Sequence, residues 1–349
     1  MKTYNNVFDQ IISPENLFLA WDAFKGDKRK KQDVLRFEWN LEEHIFKLHR
    51  DLKNKTYKHG SYKGFYVRDP KQRHIHKASV RDRVLHHAVS SVINPLFEST
   101  FIPTSFSCRT GYGTHKGVEI LEKIARKIQQ NGTNPCFVLK CDIQKFFNTV
   151  DHKMLLSILG KRIKDNNAMW LLKEIVESFS SSYSIPFKRK GLPIGNLTSQ
   201  LFANIYMNEF DQFIKHEMKV KYYVRYTDDF AIVFSNRQYL EKLIPYIAYF
   251  LNHKLELKLH PKKVAILKLR QGIDFLGYII LPKHRLIRSK TKRRMFAKMR
   301  HRTEEYKLGQ ISKLTLEQSL QSYLGVLSHA TAYTLSDKLK NQFWFWLIK

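Results

Sequence analysis

Through residues 1–60 the apolar positions Leu17, Leu19, Ala20 and Ala23, then Leu35, Leu41, Ile45, Leu48 and Leu52, recur at helical spacings, which predicts a largely helical start. Between the two sets lies Lys25-Gly26-Asp27-Lys28-Arg29-Lys30-Lys31, a basic loop that is either a solvated face or a contact for a phosphate backbone. Residues 62–78 change character and read as extended chain around Asp69-Pro70. Helical periodicity returns from Arg81 through Val84, Val89, Ile93 and Leu96, and again over roughly 115–130. Pro135 to Cys141 then reads as a short strand ending at Asp142.

Period-two alternation is clearest from Tyr222 to Phe234. Two β-branched and aromatic runs flank Thr227-Asp228-Asp229, predicting a β-hairpin with adjacent carboxylates at its turn. Neighbouring strand side chains face opposite ways, so the two aspartates cannot do the same job. Asp-Asp is also ordinary turn chemistry, and the hairpin alone does not decide between a turn and a metal site. Upstream, 183–190 reads as a hairpin arm, Gly191-Leu192-Pro193-Ile194-Gly195 as a loop, and Leu201 to Phe210 as an apolar helix. Downstream come a helix over 237–252, a strand or hairpin over 273–280, and a helical C-terminal segment. Lys283 to Arg302 holds ten Lys or Arg and no acid, with Met295, Phe296 and Met299 at helical spacing. A helix with one apolar and one basic face fits it, the basic face with Arg293 and Arg294 clamping a nucleic-acid backbone.

Composition sharpens this picture. At 349 residues and 43% hydrophobic content the chain can bury a real core, as one interlocked body or divided over two or three subdomains. Sixty-one Lys and Arg against 31 Asp and Glu give a net charge of +30, which makes a nucleic acid the expected partner. No apolar run reaches membrane-spanning length and no signal pattern opens the chain, so no membrane partner is expected. Cys108, Cys136 and Cys141 lack metal-site spacing, which fits a reduced, cytoplasmic setting. Ser105 to His115 contains Gly111 and Gly113 but not the P-loop pattern.

The candidate chemistry is phosphoryl transfer. Asp142, at a strand end 86 residues before Asp228, is the natural third member of a metal-binding set, although a helix N-cap would also suit it. Three such aspartates can hold two Mg²⁺ ions about 3.5–4 Å apart, which stabilise the attacking and leaving oxygens. Arg73, Arg81 and Arg83 could chelate a triphosphate.

The order of these pieces resembles the reverse transcriptases of bacterial retroelements over most of the chain. Tyr226-Thr227-Asp228-Asp229 looks like the family's Tyr-x-Asp-Asp box, and Asp142 with Phe146-Phe147 like its first catalytic motif. Phe275-Leu276-Gly277-Tyr278 resembles the primer-grip hairpin, and Ser322-Tyr323-Leu324-Gly325 the thumb motif of group II intron relatives. Ile194-Gly195-Asn196-Leu197-Thr198-Ser199-Gln200 is most similar to the loop of diversity-generating retroelement enzymes, a form some defence-associated reverse transcriptases share.

That resemblance implies an α+β right-hand polymerase. An N-terminal extension and fingers would occupy 1–135, and a palm of antiparallel sheet with packed helices 136–284, with 160–200 interleaved from the fingers. A short helical thumb would fill 285–349, leaving no endonuclease or DNA-binding domain of the group II intron kind. Asp142 and Asp228 would ligate two Mg²⁺ ions, with Mn²⁺ as a substitute, the Ile143 carbonyl adding an oxygen and Asp229 completing the acidic set. Phe147, five residues after Asp142, matches the gate that excludes a ribose 2′-OH. Arg73 and Arg83 match fingers positions near the triphosphate, and Lys263, or its neighbour Lys262, the lysine that could protonate pyrophosphate. Ile194 and Gln200 would lie along the nascent base pair.

The implied activity is RNA-directed DNA synthesis on a structured retroelement RNA, error-prone at template adenines, in a bacterial or phage setting. Implied partners are template RNA, the RNA–DNA duplex, deoxynucleoside triphosphates and a small basic helical accessory protein. The rivals are a defence-associated or group II intron-like reverse transcriptase, and a non-catalytic RNA-binding protein on the same scaffold. Clustered aspartates argue against the last, since like charges repel.

Overall fold

The computed structural model describes residues 2–68 and 71–348, so Asp69-Pro70, around which extended chain is expected, lies outside the described residues. The chain divides into two compact units, each assembled from three stretches. One comprises Met1–Cys108, Asp142–Val220 and Pro245–Lys262; the other comprises Arg109–Cys141, Lys221–Ile244 and Lys263–Lys349.

The first unit opens with helices Val7–Ile12, Pro14–Lys25, Gln32–Trp39 and Leu41–Lys53. Pro14 sits at the first turn of its helix, and the Ser13 hydroxyl accepts the Asn16 N–H at 3.2 Å, so both start signals are used. Leu17, Trp21 and Phe24 form one buried stripe at i, i+4 and i+7 on a helix that packs on Leu41–Lys53 and Val80–Glu98, with the Trp21 ring 5.3 Å from that of Phe37. The expected helices form, but Leu19, 66% exposed, points away from this stripe, and Leu35, 50% exposed, and Ala23 also lie off it. Large aromatic side chains, not every apolar position, define the buried face.

Strands β1 (Lys63–Arg68) and β2 (Gln72–Lys77) form the antiparallel pair expected over 62–78, with Lys63 opposite Lys77. Helix Val80–Glu98 follows, capped by Ser79, and packs against Pro14–Lys25 and against Leu197–Gln212. Leu197–Gln212 is buried around most of its circumference and forms the centre of the unit. Asp165 ties the rim together. One carboxylate oxygen accepts the N–H groups of Val7 and Phe8, both at 2.8 Å, and the other accepts those of Asn167 and Ala168. Two helix starts thus share one cap. The expected hairpin arm over 183–190 reduces to a single bridge, Ile185 to Lys188, around an exposed Phe187 at φ +64°.

β3 (Phe137–Asp142), of which all but Asp142 belongs to the second unit, β4 (Tyr223–Tyr226), β5 (Asp229–Phe234) and β6 (Ala265–Lys268) form one sheet of order β4-β5-β3-β6. Its β4–β5 and β3–β6 pairs are antiparallel, and helix Thr114–Gln129 packs on β4 and β5. A second antiparallel sheet follows, of β7 (Ile273–Phe275), β8 (Tyr278–Ile280) and β9 (Arg285–Ile287). The basic segment from Lys283 is therefore not one helix. Ladder pairing to β8 claims Arg285–Ile287, and the helix begins at Ser289. Helices Ser289–Lys307, Lys313–Ser328 and Tyr333–Ile348 then close around Met295, Met299, Leu316, Leu320, Leu339 and Phe343. No described helix is long and apolar enough to cross a membrane.

Candidate active site

The β4–β5 hairpin turns on two residues, Thr227 and Asp228, between the paired Tyr226 and Asp229. Thr227 takes φ +54°, a conformation that costs a β-branched residue about 1–3 kcal/mol and persists only when its surroundings enforce it. Arg225, fully buried, supplies part of that enforcement: its Nη1 donates to the Thr227 carbonyl at 3.0 Å. Asp228 is therefore a turn residue on a strained, clamped backbone, and Asp229 is the first residue of β5. The two carboxylates differ because one lies in the turn and the other on a strand, not through the strand alternation expected of the pair.

Asp142 closes β3, the strand beside β5 in the sheet order. It caps no helix, because the short helical turn Phe146–Thr149 starts after Lys145. Around it, the Asp142 carbonyl accepts from the His260 N–H and the Gln144 N–H donates to the Lys258 carbonyl, both at 2.8 Å, with Ile143 opposite Leu259. Antiparallel ladders alternate, so the Ile143 carbonyl is turned away from the 258–260 segment. That suits its expected role as a metal oxygen.

Lys140 shares a face of β3 with Asp142 by the two-residue period. Its Nζ stands 3.7 Å from an Asp229 carboxylate oxygen and donates to the Asp274 carbonyl on β7 at 2.7 Å. Sequence reasoning assigned Lys140 no role. The signal was there, since a lysine two residues before a strand-end aspartate lies on its face.

Hairpin β7–β8 turns on Leu276 and Gly277, at φ +50° and +94°, the pattern of a type I′ turn. Leu276 and Gly277 form its partly exposed tip, while the Phe275 ring is completely buried. Phe275, counted in the resemblance to a primer grip, is thus a core residue that supports the tip, with no side-chain surface open to solvent. Arg293 is exposed and Arg294 half-buried on helix Ser289–Lys307; Lys262 and Lys263 are both exposed.

Within the first unit, Arg83 and Gln200 line one cavity of about 270 Å³, together with Lys77, Gly195 and Asn196. Asp33 accepts from Lys77 at 2.6 Å and from Arg83 at 3.0 Å, a partner no motif announced. Burial alone would raise the Asp33 carboxyl, but these two cations hold it below its usual range. The structure does not bring the three arginines to one cavity. Arg81 donates to the Lys58 carbonyl at 2.6 Å and to Asp82, and Arg73 stands exposed on β2 opposite Val67. Of the three, Arg83 lines the cavity.

The 191–200 loop is fixed from two sides. The Ile194 carbonyl accepts the His76 N–H at 2.9 Å, and the Asn196 amide donates to the His76 carbonyl at 2.8 Å. Gly195 has φ +109°, and a Cβ there would stand 2.7 Å from Ile75 Cγ2, so only glycine fits. On the other side the Phe147 carbonyl accepts the Leu192 N–H at 2.6 Å, while the half-buried Phe147 ring packs edge-on to Phe146 at 5.4 Å. Phe147, Ile194 and the Arg83–Gln200 cavity are joined through this one loop.

Residues 58–280, more than half of the chain, match the family model described as reverse transcriptase (RNA-dependent DNA polymerase). The chain belongs to that family. Among its relatives, Protein YkfC of Escherichia coli K12 is 26% identical over 61% of this chain and 63% of its own length. Group II intron-encoded protein LtrA of Lactococcus lactis subsp. cremoris is 22% identical over 99% of this chain and 66% of its own. Putative COX1/OXI3 intron 2 protein of Saccharomyces cerevisiae is 20% identical over 79% and 39%. The chain spans less than two thirds of the length of each of these relatives. The matched residues include every candidate site residue except Arg293 and Arg294, which follow them.

Proposed function

We propose that the chain is an RNA-directed DNA polymerase that extends a primer on an RNA template with deoxynucleoside triphosphates. The observation that carries this reading is the sheet order, in which β5, opening at Asp229, lies beside β3, closing at Asp142. Fingers over 1–135, palm over 136–284 and thumb over 285–349 remain the natural division of labour.

Asp142 and Asp228, with the Ile143 carbonyl, would hold divalent cations, Asp229 contributing charge nearby. These are hard oxygen donors, and a pair of carboxylates plus substrate phosphates suffices for Mg²⁺. Among the described residues no three His, Cys, Asp or Glu side chains stand together as a closed metal cage, and such a two-carboxylate site needs none. When bound, the ions would stabilise the attacking and leaving oxygens of an in-line displacement. Phe147 would exclude the ribose 2′-OH by overlap, Arg83 would meet the triphosphate, and Lys263 would donate a proton to pyrophosphate. Leu276, Gly277, Arg293 and Arg294 would contact primer and duplex backbone, which the net charge of +30 supports.

The Ile194–Gln200 loop supports the finer reading: mutagenic copying of a structured retroelement RNA, with a small basic helical accessory protein. Alignment with LtrA along nearly the whole chain supports a second, an intron-type reverse transcriptase. Sequencing cDNA made on a defined RNA separates them, since substitutions concentrated opposite template adenines are expected of the first and faithful copies of the second. The polymerase assignment is tested with purified protein, template, primer and Mg²⁺. Asp228→Asn is expected to lower incorporation by about 10³-fold or more, a loss of roughly 4 kcal/mol in transition-state stabilisation. Undiminished incorporation would remove the assignment.

A further inference from the structure

A second cavity, of about 510 Å³, lies wholly within the first unit and uses none of the residues assigned to polymerisation. Phe97, Ile102, Ile158 and Ile205 give it apolar walls, and Arg162 stands among them. Arg162 is only 9% exposed, its Nε has no hydrogen-bond partner, and Nη2 reaches only the Tyr4 hydroxyl at 3.4 Å. Among the described residues no carboxylate pairs with it; the nearby Glu209 is taken by Lys161 at 2.5 Å. Its guanidinium lies 5.5 Å from the Tyr4 ring centroid and 5.7 Å from that of Phe97. Such contacts are worth about 0.5–2 kcal/mol, less than the several kcal/mol that a buried, uncompensated charge costs.

An arginine held this way is a receptor for a forked anion, because its planar donors match phosphate or carboxylate oxygens bidentately. The remaining surfaces describe what the anion is attached to. The cavity falls within the size range of small-ligand sites, and its isoleucine and phenylalanine walls suit a flat ring. Gln212 donates its amide N–H groups to the Thr100 carbonyl at 2.9 Å and to Asn208 Oδ1 at 3.1 Å, which leaves its carbonyl oxygen to accept from an exocyclic amine. We propose that this cavity binds a nucleotide, with the phosphate on Arg162 and the base between the apolar walls, amine edge toward Gln212. Two sources supply that chemistry: a free nucleotide, or a single unpaired nucleotide of an RNA bound to this basic surface.

The test uses the full chain in EDTA, so that metal-dependent binding elsewhere is silent, with 5′-AMP as the probe in titration calorimetry. AMP is expected to bind at least about tenfold more tightly than adenosine or inorganic phosphate, and Arg162→Met to weaken it by about tenfold or more. Met retains the apolar packing and removes the uncompensated charge, so the thermal midpoint of Arg162→Met without ligand is expected to equal or exceed that of the parent. Ser99→Trp, at the exposed mouth, is expected to block AMP without touching Arg162. In the RNA arm, an oligonucleotide bearing 4-thiouridine is photo-crosslinked to the chain. Crosslinks on the Leu197–Gln212 helix that vanish in both variants, without AMP affinity, assign the site to RNA. The proposal is overturned if neither AMP nor RNA engages the cavity, if both variants leave binding unchanged, or if Arg162→Met destabilises the protein with no effect on either ligand.

Discussion

Lys140 Nζ lies 3.7 Å from a carboxylate oxygen of Asp229 and donates a 2.7 Å hydrogen bond to the carbonyl of Asp274. One cation therefore joins the strand that opens at Asp229 to the hairpin whose tip is Leu276-Gly277. Asp274 is itself held, through its carboxylate, by Arg288. Asp229 thus has a cationic neighbour within its own unit.

Lys140→Met is accordingly expected to lower the turnover of primer extension by about 10–100-fold, the range typical of residues that orient metal-site ligands. The KM for deoxynucleotide should change little, and Lys140→Arg should restore part of the loss. A lowered thermal midpoint with unchanged turnover would mean that Lys140 only packs the sheets together.

Gly195→Ala tests the tie between the 191–200 loop and β2. At φ +109° with Ile75 Cγ2 only 2.7 Å from the new methyl, the substitution strains the backbone and pushes β2 away. The expected cost is about 1–3 kcal/mol of stability. Since Arg83 and Gln200 line the cavity beside Gly195, the deoxynucleotide KM should also rise. Parent-like melting and kinetics would show that the loop tolerates the methyl by moving.

Much of this was legible in the sequence because it rests on local patterns. Period-two alternation located the β4–β5 hairpin, and the apolar run over 273–280 a strand or hairpin. What stayed hidden depends on contacts between distant segments. No local rule pairs Asp33 with Arg83, fifty residues on, or buries Arg225 to brace Thr227. The burial of Phe275 is hidden for the same reason: a motif names the residues of a hairpin, whereas packing decides which of them face outward. In the first helices, apolar positions were counted equally, although Trp21 and Phe24 set the stripe that put Leu19 in solvent.

Phe147 offers a specificity test. Its ring is half-buried against Phe146, and its carbonyl is bonded to Leu192, so the backbone stays fixed when the ring is cut back. Phe147→Ala is expected to raise the ribonucleotide-to-deoxynucleotide ratio of kcat/KM by about 10–100-fold, on the scale of about 1.4–2.8 kcal/mol of lost steric exclusion. Competition assays with labelled ribo- and deoxynucleotides measure it. An unchanged ratio would reduce Phe147 to core packing.

The last prediction concerns acid. His59 Nε2 and His86 Nε2 stand 3.1 Å apart, so one ring donates and the other accepts, a bond that fails if both rings are protonated. Burial pushes the His86 imidazole down to about 3, and the charge of neighbouring His59 adds to this. Beside them Asp82 accepts from the Tyr57 hydroxyl at 2.8 Å, Ser79 at 2.6 Å and the Gly60 N–H at 3.1 Å. Burial would raise the Asp82 carboxyl, but these donors with His59 and Arg81 hold it below the usual 3.8. The signs follow from proton counts. Unfolded His86 takes up a proton near pH 6.5 and the folded residue only near 3, so between those values the unfolded chain binds more protons and stability falls as the pH drops. Each pH unit removes up to about 1.4 kcal/mol per such proton. The Asp82 contribution is intact above 3.8 and lost only below it. Half-buried His76 and His87 and buried His152 are shifted the same way and add to the slope. Thermal midpoints measured from pH 7.5 to 3.5 should therefore begin to fall near pH 6.5 and fall more steeply below 4. In His86→Leu, where His59 Nε2 keeps the Tyr62 hydroxyl at 3.3 Å, the slope between 6.5 and 4.5 should flatten by one proton's share while the steep loss below 4 persists. An unaltered slope would place the acid sensitivity in the other histidines.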